Sequence, residues 1–191
     1  MRNLVLFGPP GAGKGTQSER LQDHYQLFHL STGDIFRYNI KNETALGRKA
    51  KAYIDQGQLV PDELTIHMLA QELDKHPEAA GFIFDGFPRT TAQAQALDKL
   101  MEQHQTQITA MLALEVEEEE LRKRLLARAE VSGRSDDADP AVIQKRIDVY
   151  RQETEPVKKY YQSQSKLDQV NGMGTIDEVT KRLFEAVDAR P

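Results

Sequence analysis

The stretch Asn3–Thr16, NLVLFGPPGAGKGT, decides how the rest of the chain is read. Leu4, Val5, Leu6 and Phe7 form a short unbroken apolar run, the pattern of a strand buried on both faces of a parallel sheet. Gly8-Pro9-Pro10-Gly11-Ala12-Gly13 then forbids regular structure, and KGTQSERLQDHY from Lys14 onward reads as a helix. Strand, glycine-rich loop and helix in that order are the setting of a phosphate-binding loop. The glycines let successive backbone N–H groups turn inward, an anion nest at the positive end of the helix. Lys14 adds a mobile charge for the terminal phosphates. One position departs from the general pattern GxxxxGK[ST]: Gly15 stands in the hydroxyl slot and Thr16 follows it. A nucleoside triphosphate site is expected, without direct magnesium ligation by a loop hydroxyl. A glycine turn that binds nothing is the plain alternative, and the strand and helix around it argue against that.

Composition narrows the class. With 191 residues, 39% hydrophobic and 29% charged, the chain can form one domain with a sizeable core. A net charge of −5 argues against general binding to nucleic acid or anionic membranes. There is no cysteine, which excludes disulfides, thiol catalysis and cysteine-bound zinc. A strand that starts within three residues of Met1 leaves no room for a signal peptide, and no apolar run approaches the ~20 residues of a membrane span. A cytoplasmic protein is expected. The five histidines show no metal-ligand spacing.

Along the chain, apolar runs alternate with amphipathic stretches. Strands are expected at Leu27–Leu30, Phe82–Phe84, Ala110–Val116 and Leu167–Val170. Helices are expected after the Ser31-Thr32-Gly33-Asp34 cap, over Thr44–Gln56, from Pro61, and over Thr90–His104 and Glu117–Glu130. Another follows Asp139-Pro140, broken or bent near Pro156, and Thr175–Asp188 closes the chain. The alternation predicts an α/β fold with about five parallel strands and helices on both faces. Ligands then gather outside the carboxyl ends of the strands.

Phe82–Arg89, FIFDGFPR, is the second informative stretch. A strand that delivers Asp85 at its carboxyl end suits the magnesium of a P-loop enzyme. The stiff turn Gly86-Phe87-Pro88 then fixes Arg89 beside it as a phosphate clamp, although a surface salt bridge would need no more. Arg37, Arg124, Arg128, Arg134 and Arg146 form the third signal. Arg124 and Arg128, spaced i and i+4, share a helix face. Ala129–Ala138, AEVSGRSDDA, is expected to be a polar loop that carries Arg134 as part of a lid. Arg122 and Lys123 read as a solvated helix face.

Taken together, these stretches resemble the adenylate kinases among the nucleoside monophosphate kinases. The likeness spans GPPGAGKGTQ (Gly8–Gln17), STGDIFR (Ser31–Arg37), GQLVPDELT (Gly57–Thr65), DGFPRTTAQ (Asp85–Gln93), GRSDD (Gly133–Asp137) and GMGTIDEV (Gly172–Val179). It implies a P-loop three-layer fold, a short lid without zinc, and a monomer acting on ATP, AMP and ADP. Gly11, Ala12, Gly13, Lys14, Gly15 and Thr16 would hold the ATP phosphates, helped by Arg128, with Arg124 and the Gly174 backbone near ATP. Thr32, Arg37, Gln58, Leu59, Val60, Gly86, Phe87, Pro88, Arg89 and Gln93 would form the AMP pocket. Arg134 and Arg146 would span the transferring group, so the catalytic set is Lys14, Arg89, Arg128, Arg134 and Arg146. Magnesium would be held by phosphates and water, with Asp85 and Asp34 behind the water. The core would be 1–30, 61–126 and 138–191, the AMP-binding segment 31–60 and the lid 127–137.

No catalytic base is required, because the second pKa of a phosphate monoester is about 6 and the acceptor oxygen is already deprotonated at neutral pH. The reaction needs in-line positioning, neutralised charge and exclusion of water. A UMP or CMP kinase shares the loop, the DGFPR turn and the lid, but Thr32 and Gln93 favour AMP. Another small-molecule P-loop kinase would lack STGD and GFPR. A non-catalytic nucleotide-binding protein should have lost a phosphate arginine, and none is missing.

Overall fold

The computed structural model describes residues 1–191. Strand β1 (Leu4–Phe7) leads through the glycine loop into α1 (Lys14–Tyr25), then β2 (Phe28–Ser31). Helices α2 (Thr32–Lys41), α3 (Ala45–Ile54) and α4 (Asp62–Asp74) precede β3 (Phe82–Asp85) and α5 (Thr91–Gln103). The second half runs β4 (Ala110–Glu115), α6 (Glu118–Ser132), a four-residue α7 (Ser135–Ala138) and α8 (Pro140–Val149). A π-helical turn at Tyr150–Thr154 leads to α9 (Val157–Gln162), β5 (Leu167–Asn171) and α10 (Ile176–Asp188). No helix is long and apolar enough to cross a membrane.

The five strands form one parallel sheet in the order β2-β3-β1-β4-β5, with Leu6 opposite both Asp85 and Leu112. Successive side chains of a strand alternate between faces, so the sheet builds two cores. Leu4 and Leu6 pack with Leu21 of α1 and with Val179, Leu183 and Val187 of α10. Val5 and Phe7 pack on the other side with Leu69 and Leu73 of α4, Leu97 and Met101 of α5, and Val157 and Tyr161 of α9. With both faces covered, uninterrupted apolar strands are what the sheet requires. The connection from β1 runs to β2 on one side and that from its neighbour β4 runs to β5 on the other, and the crevice this opens lies at the carboxyl ends, where the glycine loop sits.

Two smaller cores lie outside the sheet. Phe36, Ala50, Val60 and Met68 join α2 and α3 to α4, so the 31–60 segment carries packing of its own. Leu125, Ile143 and Ile147 join α6 to α8. Helix starts are capped as the sequence indicates. Ser31, Thr44, Thr90 and Asp139 accept from the N–H groups of Asp34, Gly47, Gln93 and Ala141.

Two expectations need correction, and a third is met in a particular form. β2 begins one residue later than expected, at Phe28, and ends at Ser31. The polar loop expected over 129–138 is mostly helical. α6 continues to Ser132, because AEVS contains no breaker, and stops where Gly133 adopts φ 63 and donates to the Ala129 carbonyl at 3.1 Å. Arg134 therefore occupies a two-residue connection at the start of α7 rather than a long loop. The break near Pro156 takes the form of the π turn, in which the Glu155 N–H reaches the Tyr150 carbonyl at 2.7 Å.

Candidate functional site

The glycine loop delivers the amino end of α1 to the crevice. Gly13 takes the N-cap position at φ 91 and provides no capping side chain, so the first-turn N–H groups stay available to an anion. Lys14 folds back over the loop, its Nζ donating to the carbonyls of Gly8 at 2.9 Å and Pro9 at 3.0 Å. Burial pushes this ammonium down from 10.5 to about 7; Asp85 opposes the shift, while Arg89, Arg146 and Arg128 add to it.

β3 ends in Asp85, which is 8% exposed and lies 3.3 Å from His29 Nε2. At Gly86, φ is 78, and a Cβ there would lie 2.8 Å from Thr32 Oγ1 and 2.9 Å from Arg89 Nη2. Only glycine lets Arg89 fold back in this way and donate Nε to the Gly86 carbonyl at 2.7 Å. Thr32 donates to the same carbonyl at 3.0 Å. Burial pushes the Arg89 guanidinium down to about 10, Arg146 acts in the same direction, and Asp85 opposes both; the group stays charged at neutral pH.

The remaining arginines rest on carboxylates. Arg128 forks onto Asp137 at 2.6 and 2.9 Å, and Arg146 donates to Asp137 at 2.6 Å and approaches Asp136 at 3.2 Å. Burial works to raise the Asp137 pKa, but the two guanidiniums outweigh it and hold the carboxyl below its ordinary range. Arg37 donates to Asp34 at 2.5 Å, and Arg134 stands 3.9 Å from the same carboxylate. Partial burial of Asp34 is outweighed by Arg37 and Ser31, so this carboxyl too is held low.

Two cavities open on this cluster. Gly11, Ala12, Gly13, Gly15, Thr16, Arg124, Arg128, Arg134, Gly174, Asp34 and Asp85 line the larger, of about 640 Å³. Gln58, Leu59, Val60, Thr32, Phe87, Pro88 and Gln93 line the smaller, of about 120 Å³. Lys14, Arg37, Gly86, Arg89 and Arg146 line both, which places four cations where the cavities meet. Arg134, expected at the acceptor as well, borders the larger cavity only. The larger falls within the usual range of ligand pockets, roughly 300–1,000 Å³.

Gln93 is 2% exposed and engaged at both ends of its amide. Oε1 accepts from the Arg89 N–H at 2.8 Å, and Nε2 donates to Asp62 at 2.9 Å. An amide has two donor hydrogens and two lone pairs, so one of each remains for a base. Arg124 braces the larger cavity, donating to the Gly172 carbonyl at 3.2 Å, with Glu120 on its Nε at 2.9 Å.

Sequence reasoning passed over three contributors. Asp137 was visible only as one of a pair beside Arg134, and Asp62 only as an acidic helix start. Tyr150 lines the smaller cavity with its hydroxyl buried and unpartnered. No group of three potential metal-ligating side chains exists in the protein. That suits Mg²⁺, which keeps several waters and takes one or two carboxylates plus phosphate oxygens. Asp85 fits the role, whereas Asp34 is already committed to Arg37.

A family model described as Adenylate kinase matches residues 6–166. A Flavobacterium psychrophilum protein named Adenylate kinase is 54% identical over 188 residues, covering 98% of this chain and 99% of its own. A Flavobacterium johnsoniae protein of the same name is 52% identical over the same coverage. One from Parabacteroides distasonis is 54% identical, covering 98% of each chain.

Proposed function

The chain belongs to the adenylate kinase family, and from that premise we propose that it transfers the terminal phosphoryl group of ATP to AMP, reversibly and with magnesium, giving two ADP. The carrying observation is that Lys14, Arg37, Arg89 and Arg146 border both cavities. A donor in the larger cavity and an acceptor in the smaller would meet at those cations. An AMP oxygen attacks the γ-phosphorus, the bond from that phosphorus to the β,γ-bridging oxygen breaks, and the leaving group is ADP.

The residues divide the work. The α1 N-terminus and Lys14 bind the donor phosphates, and Lys14 leaves its carbonyl partners for a phosphate oxygen. Arg89 and Arg37 orient the acceptor phosphate. Arg128, Arg134 and Arg146 exchange their carboxylate partners for the charge that grows on the transferring group. Magnesium, when bound beside Asp85, neutralises phosphate charge and fixes the donor geometry. Thr32, Gln93 and the Gln58–Val60 backbone enclose the acceptor base.

Residues 31–60 act as a mobile AMP-binding segment and 127–137 as a lid, against a core of 1–30, 61–126 and 138–191. Their present contacts are thin: Ser135 Oγ lies 3.4 Å from Asp55, and Arg134 lies 3.9 Å from Asp34. Bound phosphates would draw both parts inward and exclude water. The test is product stoichiometry. ATP and AMP with Mg²⁺ should give two ADP per AMP consumed, ADP alone should return ATP and AMP, and a chelator should stop both. Phosphate release without ADP formation from AMP would refute the proposal.

A further inference from the structure

Between β5 and α10 the chain turns in four residues, Gly172–Thr175, on the rim of the larger cavity. A turn at a cavity edge exposes backbone polar groups, and each needs a partner. Gly172 donates to the Glu115 carbonyl at 2.8 Å and accepts from Arg124 at 3.2 Å. Met173 donates to Asn171 Oδ1 at 2.9 Å and accepts from Arg182 Nη1 at 2.6 Å. Thr175 donates to Glu178 at 2.8 Å and accepts from Val179 at 3.1 Å. The N–H and C=O of Gly174 alone in this turn have no partner within the protein.

Gly174 is exposed, at φ 106, and a Cβ there would meet Glu178 Oε2 at 2.5 Å. The turn thus presents one free donor and one free acceptor to the cavity that begins at the phosphate loop. That pair suits a nucleobase edge rather than a phosphate.

Arg182 shapes this turn. It stands four residues after Glu178 on α10, so both side chains leave the same helix face. Its Nη1 donates to two carbonyls, Asn171 at 2.9 Å and Met173 at 2.6 Å, and so ties the end of β5 to the residue before Gly174. Its Nη2 lies 3.7 Å from the position of a Gly174 Cβ. No carboxylate lies within 4 Å of the guanidinium, so its hydrogen-bonding capacity is spent on the backbone. We propose that Arg182 is a positioning residue for the base of the donor nucleotide, acting through the Gly174 peptide groups. The inference rests on the reading of the larger cavity as the donor site.

Calorimetry on the full chain tests it with three probes: ATP, inorganic triphosphate and AMP. Arg182→Ala should weaken ATP about five- to tenfold, the loss of hydrogen bonds from a charged donor. Inorganic triphosphate and AMP should bind as they do to the wild type, because neither reaches the turn with a base. Arg182→Lys keeps a cation able to reach one carbonyl and should recover part of the loss. Should the alanine variant fail to fold, the lysine variant carries the same contrast at smaller size. Unchanged ATP binding, or equal weakening of ATP and triphosphate, would overturn the proposal. Failure of the wild type to bind ATP would instead overturn the donor-site reading beneath it.

Discussion

Asp137→Asn tests whether Arg128 and Arg146 are held in reserve by a carboxylate that phosphate replaces. The Asp137 side chain is fully buried and accepts three charged hydrogen bonds, at 2.6 and 2.9 Å from Arg128 and 2.6 Å from Arg146. Asparagine keeps one acceptor, turns an NH₂ toward a guanidinium and removes the charge. Breaking a buried ion pair costs about 3–5 kcal/mol. Arg128 is 36% exposed and lines the larger cavity, so part of that is screened. We take about 2 kcal/mol, which for a chain of this size lowers Tm by roughly 4–8 °C. Because Asp137 is held below its ordinary pKa, its contribution is complete above the unfolded value of about 4 and is lost as pH falls through the folded one. The gap between wild type and variant should therefore stay level from about pH 6 to 8 and close in stronger acid. Saturating ATP supplies the missing negative charge, so the gap should narrow with ATP present. Differential scanning calorimetry reads both effects. A variant that melts within about 1 °C of wild type would refute the reserve. So would a gap that ATP leaves unchanged.

Three further outcomes follow from the same geometry. Lys14→Ala should lower kcat by about 10²–10³ with the fold intact. Since the free ammonium is pushed down to about 7, ATP binding near pH 8 should restore its proton, seen as a buffer-dependent heat that Lys14→Met abolishes. Arg134→Ala should lower kcat more than it raises the AMP KM, and a pure KM effect would assign this arginine to the ground state. Asp85→Asn should raise the magnesium needed for half-maximal rate about tenfold, whereas an unchanged magnesium titration would remove Asp85 from the metal.

Local chemistry made most of the fold legible. The GPPGAG run can only be a glycine loop between elements, and apolar runs such as FIF and AMLAL become strands covered on both faces. Helix starts announced themselves through Ser31, Thr44, Thr90 and Thr175. The helical course of residues 129–138 was obscured because their polar composition suits a loop and a solvated helix equally; only Gly133 marks the stop.

Partnerships across the fold were less legible. Asp62 and Gln93 lie 31 residues apart and meet only because α4 packs beside α5. Asp137 stands in the sequence only as one of a pair beside Arg134, and α6 and α8 bring Arg128 and Arg146 onto it. Arg182 belongs to no motif in the sequence, and its backbone partners appear only when the turn before α10 is seen.

The central claim is a site that moves phosphate to AMP, and acceptor choice tests it most directly. ADP formation should be measured with ATP, Mg²⁺ and equal concentrations of AMP, dAMP, CMP or UMP. The remaining donor and acceptor on Gln93 suit an adenine edge, and a site built for such bonds discriminates strongly against bases that leave them unpaired. AMP should be by far the fastest acceptor, dAMP slower, and CMP and UMP very slow. If CMP or UMP is phosphorylated as fast as AMP, the AMP site proposed here is wrong and the pyrimidine kinase reading takes its place.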